Sequence, residues 1–196
     1  MTEKLFYEDS HRTGFTAKVI SCEEAKDGYR VVLDQTVFFP EGGGQYADTG
    51  VLGTVNVTDV HEKDDVIYHY TTAPLEVGSI VTGKINWEER FEKMQQHTGE
   101  HIVSGIVHER LDITMSVSSG ADYCTMDFDG TISKEQLKEI EAAANEAVYQ
   151  DLEIEILYPS KDELKDMDYR SKIEIEGQVR IVRSQVMMCV HAVRHM

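Results

Sequence analysis

Apolar and polar residues alternate along the first 87 positions in short runs, separated by Gly, Asp and Lys. Residues 15–21, 29–39, 51–60, 66–71 and 80–87 are rich in Val, Ile, Thr and aromatic side chains, the composition of strands. Five such runs without a helical period predict a small antiparallel barrel or folded sheet. After Trp87 the period changes. Phe91, Met94, Thr98, Ile102, Gly105 and Ile106 recur at steps of three and four, which predicts a long amphipathic helix. A strand is expected over 122–128. Ser133-Lys134-Glu135-Gln136 then reads as a capping box opening a second helix, with Leu137, Ile140, Ala144, Ala147 and Val148 as its apolar stripe. An alternating strand over 152–158 stops at Pro159-Ser160, a short helical stretch is expected over 161–167, and 177–183 forms a final strand leading to Cys189. The pattern as a whole predicts an α+β fold: a small N-terminal antiparallel β-barrel over 1–87, then a two-layer α+β domain over 88–196.

Composition narrows the class. Of the 196 residues 41% are hydrophobic and 28% charged, ordinary for a globular protein. No apolar run approaches the roughly 20 residues of a membrane span, and the N-terminus is polar from the start, so neither a membrane partner nor a secretory leader is expected. Cys22, Cys124 and Cys189 are odd in number and widely spaced, which argues against a disulfide framework and for a cytoplasmic protein. The net charge of −17 repels phosphate backbones at long range, so DNA is not an expected partner. The exception is the end of the chain, where Arg170, Lys172, Arg180, Arg183 and Arg194 outnumber Glu174 and Glu176.

Three features could carry chemistry. His97-Thr98-Gly99-Glu100-His101 lies in the long helix, and residues four apart share a helix face, so both imidazoles can reach one ion. The plainer reading is a pair of polar residues on a solvated face. Cys189, His191 and His195 cluster at the end of the chain, and a helix-borne His pair with a distant Cys/His pair is the spacing of a four-ligand zinc site. Pro40-Glu41-Gly42-Gly43-Gly44-Gln45 is glycine-rich but lacks the Gly-Lys-Ser/Thr of a phosphate loop. It is either a wide turn between strands or a loop whose backbone approaches a ligand.

Taken together these features resemble the alanyl-tRNA synthetase editing-domain family in its free-standing form. The matching stretches are 38–45, then Asp48-Thr49-Gly50, then Asn86-Trp87-Glu88-Glu89-Arg90, then the HTGEH stretch, and finally Val179-Arg180-Ile181-Val182. They run in the family's order over nearly the whole chain. The resemblance implies a β-barrel followed by an α+β editing domain, and zinc-dependent hydrolysis of the ester joining a wrong amino acid, mainly serine or glycine, to the 3′ adenosine of alanine tRNA. It implies zinc ligands at His97, His101 and Cys189, and a pocket for the terminal nucleotide shaped by Gly43, Gly44 and Gln45. Glu100 is the carboxylate placed to meet the substrate amine or a metal-bound water. The aminoacylated 3′ end of tRNA is the implied partner.

The chain departs from that pattern. Val193 stands four positions after Cys189, where the family's Cys-x-x-x-His has its histidine, so His191, or failing it His195, is expected to replace it. Ser116-Val117-Ser118 replaces a Gly-Phe-His-like stretch, and the second domain is expected to be truncated at the C-terminus. Residues 114–120 and those after Arg183 read as short out-of-frame stretches of the gene, which resequencing across both would test. Two alternatives follow. One is a non-catalytic remnant that binds tRNA or a synthetase without hydrolysis. The other takes HTGEH as the H-x-x-E-H motif of inverted zinc proteases, with Glu100 as general base and Glu174 or Glu176 as the distant carboxylate ligand.

Overall fold

A computed structural model of the chain describes residues 1–42, 44–119, 124–151, 153–160, 162–166, 179–184 and 191–194. The chain forms two compact units, Met1–Gln95 and Gln96–Met196. The first opens with the short strand β1 (Glu3–Lys4) and a 3-10 turn, Leu5–Tyr7. Strands β2 (Gly14–Ala25), β3 (Gly28–Leu33), β4 (Gln35–Thr36), β5 (Gly50–Leu52), β6 (Val55–Lys63), β7 (Val66–Thr71) and β8 (Ile80–Ile85) follow. Six of them close an antiparallel barrel in the order β2-β3-β7-β6-β5-β8, while β1 and β4 pair in parallel beside it. Closure leaves no free edge in the barrel.

The alternation seen in the sequence is what fills this barrel. Phe15, Ala17 and Val19 of β2, Val31 and Leu33 of β3, and Ile67 of β7 turn inward every second residue onto Phe38, Leu52, Val57, Val60 and Ile85. Two expected strands are divided. The run over 51–60 breaks at Gly53, whose φ of +61° makes the turn between β5 and β6. The run over 29–39 breaks at Asp34, whose side chain accepts from the Lys18 N–H at 2.8 Å instead of continuing the strand.

His69 occupies an inward position of β7 that the alternation would give to an apolar residue, and it is fully buried. Its Nδ1 lies 3.2 Å from the Val31 carbonyl, so that nitrogen carries the proton. Nε2 then accepts from the Thr36 hydroxyl at 2.8 Å, and Thr36 Oγ1 accepts from the Phe38 N–H at 3.1 Å. Burial pushes the imidazole pKa down to about 4, only partly opposed by the bond to Val31.

The second unit contains most of helix α1 (Trp87–Leu111), which begins in the first. Strands β9 (Met115–Ser119) and β10 (Cys124–Phe128) form an antiparallel pair, helix α2 spans Lys134–Tyr149, and β11 (Ile154–Leu157), β12 (Val179–Ser184) and β13 (His191–Arg194) form a three-stranded antiparallel sheet. The fold is thus α+β, as expected. Ile106 and Val107 of α1 and Ile140 of α2 form the buried core of this unit, with Ile102, Leu111, Phe128 and Ala144 against it. The capping box is present: the Gln136 N–H donates to Ser133 Oγ at 3.1 Å, and the Ser133 N–H donates to Gln136 Oε1 at 2.8 Å. The helical stretch expected over 161–167 is a 3-10 turn, Glu163–Asp166. Among the described residues no helix is long and apolar enough to cross a membrane.

Acidification should expose the cost of burying His69 neutral. The unfolded chain takes up a proton near the ordinary histidine value while the folded one resists until about pH 4. Stability is therefore full above about pH 6.5 and declines by about 3 kcal/mol as pH falls to about 4. Urea denaturation at a series of pH values, with His69→Gln as the comparison lacking this dependence, measures it.

Candidate functional site

Helix α1 starts where three consecutive residues of the loop between β4 and β5 are bound to its first two turns. The Lys93 ammonium donates to the Ala47 carbonyl at 2.6 Å, and Thr49 Oγ1 donates to Glu89 at 2.8 Å. Between them Arg90 and Asp48 form an ion pair with side chains 2% and 1% exposed. Arg90 Nε donates to both Asp48 oxygens at 2.9 and 3.0 Å, and Nη2 also pairs with Asp48. The remaining guanidinium donors reach the Val37 carbonyl at 2.7 Å and the Ser10 carbonyl at 3.0 Å. Asp48 in turn accepts from the Phe39 N–H at 2.7 Å. A charge pair taken out of water is tolerated only when its donors and acceptors are met in this way.

The glycine-rich loop hangs from this anchor. The Glu41 N–H donates to Val60 of β6 at 2.9 Å, and the Asp48 N–H donates to Phe39 at 3.0 Å, so both arms are fixed. At its tip Gly42 and Gln45 exchange two backbone hydrogen bonds of 3.0 Å each. Gly44 turns the chain with a φ of +85°, a conformation other residues adopt only with strain, and Gln45 is buried. Gly43 lies outside the described residues.

Two turns further along α1, His97 and His101 lie side by side. Their ring centroids are 4.8 Å apart with planes inclined at 30°. Glu100 joins them: its Oε2 is 3.3 Å from His101 Nδ1, and the residue is 9% exposed. One donor atom from each of His97, Glu100 and His101 lies within 4.8 Å of the other two. Two imidazoles and a carboxylate at this separation fit a divalent cation of the zinc type. Ser104, buried one turn on, donates to the His101 carbonyl at 3.2 Å, a contact that nothing in the motif announces.

Of the other candidates, Cys189 and His195 lie outside the described residues, as do Glu174 and Glu176. The backbone of His191 is in β13, paired with Val182 of β12. Cys124 shares a face of β10 with Met126 and Phe128; it is half-buried and its thiol donates to Gln96 Oε1 at 3.5 Å. Strand β9 escaped the sequence reading because Met115–Ser119 is serine-rich, yet its backbone pairs residue by residue with β10.

A closed six-stranded barrel, then a helix carrying two histidines and a buried carboxylate on one turn, defines the class: a small α+β protein with a donor cluster that could hold a cation. Comparison with known proteins narrows it. The family model for class II (A) tRNA synthetases matches residues 2–89. An alanine–tRNA ligase of Halorubrum lacusprofundi is 39% identical over 171 residues, covering 83% of this chain and 18% of the ligase. The alanyl-tRNA editing protein AlaX-L of Pyrococcus horikoshii is 31% identical over 193 residues, 93% of this chain and 48% of that protein. The alanyl-tRNA editing protein Aarsd1 of Rattus norvegicus is 32% identical over 192 residues, 89% of this chain and 47% of its own length. The chain therefore spans about half the length of these editing proteins. Over most of its length it is related to alanine–tRNA ligases and alanyl-tRNA editing proteins.

The buried ion pair yields a direct expectation. Asp48→Ala leaves Arg90 charged and unpaired, and should cost about 3–5 kcal/mol in stability. Denaturant unfolding of the variant against the parent protein checks the value.

Proposed function

We propose that this chain acts in trans in the cytoplasm as an aminoacyl-tRNA deacylase, removing serine or glycine from mischarged alanine tRNA. The observation that carries the reading is the convergence of His97, Glu100 and His101 on one turn of α1 in a chain related to editing proteins. His97 and His101 would hold a zinc ion, with Cys189 and His191, or His195 in its place, as further ligands. Bound there, zinc supplies a Lewis acid toward the ester carbonyl or a water molecule. Gly43, Gly44 and Gln45 are assigned to the terminal nucleotide, whose approach a side-chain-free backbone permits. Buried Glu100 supplies negative charge for the substrate's ammonium group. An acidic chain of net charge −17 gains little from the tRNA backbone. Recognition on this account rests on the 3′ end.

The test is release of amino acid from seryl-, glycyl- and alanyl-tRNA by purified, metal-analysed protein. Seryl- or glycyl-tRNA should be deacylated and alanyl-tRNA spared, with activity lost on chelation and restored by zinc. His97→Ala and His101→Ala should each lower the rate by about 100-fold or more. Intact seryl- and glycyl-tRNA with the zinc-loaded protein would favour the non-catalytic reading. Zinc should also raise the melting temperature of the parent protein, and this shift should shrink in both variants.

A further inference from the structure

We propose that one wall of the barrel, the ribbon of β2 and β8 together with the start of α1, is a docking surface for the unpaired nucleotides that precede the 3′-terminal adenosine of a tRNA. The inference rests on the tRNA partner of the preceding reading and deepens it by naming the surface that receives the strand. All of the residues concerned belong to the first unit. Strands β2 and β8 pair antiparallel, with Lys18 opposite Ile80, Thr16 opposite Thr82 and Gly14 opposite Lys84. Alternate positions turn into the core, which leaves Thr16, Lys18, Thr82 and Lys84 exposed on the outside. The Arg12 guanidinium donates to the Gly14 carbonyl at 3.3 Å, which brings a third cation to the row of Lys84.

Charge sets this wall apart. The chain carries a net charge of −17, yet none of residues 14–20 and 80–85 is acidic. Among the described residues Arg12, Lys18 and Lys84 form no ion pair, so their charges are free to meet phosphate. The nearby carboxylates of Asp34 and Asp9 accept the backbone N–H groups of Lys18 and His11, each at 2.8 Å. On the wall of β3, β7 and β6, by contrast, Arg30 is paired with Glu23, and His61 lies beside Asp59 and Glu41. A phosphate chain is repelled there and attracted over β2 and β8.

Aromatic rings continue the ribbon. Past Lys84 the Ile85 N–H donates to the Thr13 carbonyl at 3.0 Å, and His11 then meets Trp87 with ring centroids 5.5 Å apart. Phe91, one turn along α1, stacks on Trp87 at 5.5 Å with planes inclined at 32°, and is 40% exposed. Unpaired bases stack on such rings whatever their sequence, whereas bases in a duplex are already stacked on one another. Glu88 and Glu92 adjoin Phe91 on α1, so phosphates are held over the strands and bases over the rings. Between the two, the Asn86 N–H donates to the Thr49 carbonyl at 2.8 Å, which joins the surface to the arm of the glycine-rich loop assigned to the terminal nucleotide. From Lys18 to His11 the ribbon extends about 23 Å, room for about four nucleotides. Three cations make few phosphate contacts, so recognition stays with the 3′ end.

The experiment is fluorescence anisotropy of a labelled alanine-tRNA acceptor minihelix carrying no amino acid, with and without its unpaired 3′ nucleotides, at a series of salt concentrations. The full-length protein is compared with Lys18→Gln/Lys84→Gln, with Phe91→Ala and with a charge-matched control, Lys26→Gln/Lys63→Gln, whose lysines lie at the β2–β3 and β6–β7 hairpins. The minihelix lacking the unpaired nucleotides is expected to bind at least about tenfold more weakly. Lys18→Gln/Lys84→Gln is expected to weaken binding about tenfold at physiological salt and to lower the slope of log affinity against log salt by about 1.4. Phe91→Ala is expected to weaken binding about fivefold or more with the salt slope unchanged. The control is expected to bind within about twofold of the parent. Equal losses in the control and in Lys18→Gln/Lys84→Gln, binding indifferent to the unpaired nucleotides, or no binding by the parent protein overturns the proposal. The RNA carries no ester, so the readout is independent of hydrolysis. Seryl-tRNA left intact by a protein that binds as expected refutes the deacylase reading and leaves this one standing. Deacylation by a protein whose binding ignores Lys18, Lys84 and Phe91 does the reverse.

Discussion

The structure of the first unit turns on one buried contact, the Arg90–Asp48 ion pair. Both side chains are withdrawn from water, a state that costs several kcal/mol per charge unless every donor is met. Here each guanidinium nitrogen has an acceptor: Arg90 bonds Asp48, Val37 and Ser10, and Asp48 bonds the Phe39 N–H as well. One side chain thus joins the start of α1 to the N-terminal segment, to the residues leaving β4, and to the arm of the glycine-rich loop. Ala47 and Thr49, on either side of Asp48, bind Lys93 and Glu89, on either side of Arg90. Directly after this anchor, Gly50 lets β5 approach β8 closely, since a Cβ there would sit 2.2 Å from the Lys84 carbonyl oxygen. The glycine-rich loop therefore starts from fixed ends, and backbone bonds between Gly42 and Gln45 close its tip.

How much of this was legible in the sequence depends on the range of the interaction. Alternation over 15–21 and 66–71 gave the barrel strands, because each inward residue answers only to a period of two. Ser133 and Gln136 gave the start of α2, because a capping box closes within four residues. The break at Gly53 was missed since the apolar pattern continues across it, and β9 was missed since its serines have little strand preference of their own. Arg90–Asp48 spans 42 positions and consists of two polar residues, so no periodicity could announce it. A trace was nevertheless present. Asp48-Thr49-Gly50 and Asn86-Trp87-Glu88-Glu89-Arg90 were two of the stretches that carried the family resemblance, and they are bonded to each other.

The candidate site divides along the same line. His97 and His101 could be paired from their spacing alone, since one helical turn fixes the distance between them. The burial of the Glu100 carboxylate could not, because it is a tertiary property that helix spacing does not set. That burial changes the chemistry available to the turn. Exposed, the three side chains would be an ordinary polar face. With the carboxylate enclosed beside His101, the turn is a candidate donor set for a cation.

The central claim is therefore that this turn of α1 holds the metal. Anomalous diffraction from crystals of the zinc-loaded protein, collected on both sides of the zinc absorption edge, tests it most directly. The account predicts a single strong peak within bonding distance of His97 and His101. Ordered histidines with no anomalous signal between them, or a zinc ion bound elsewhere on the chain, would contradict it.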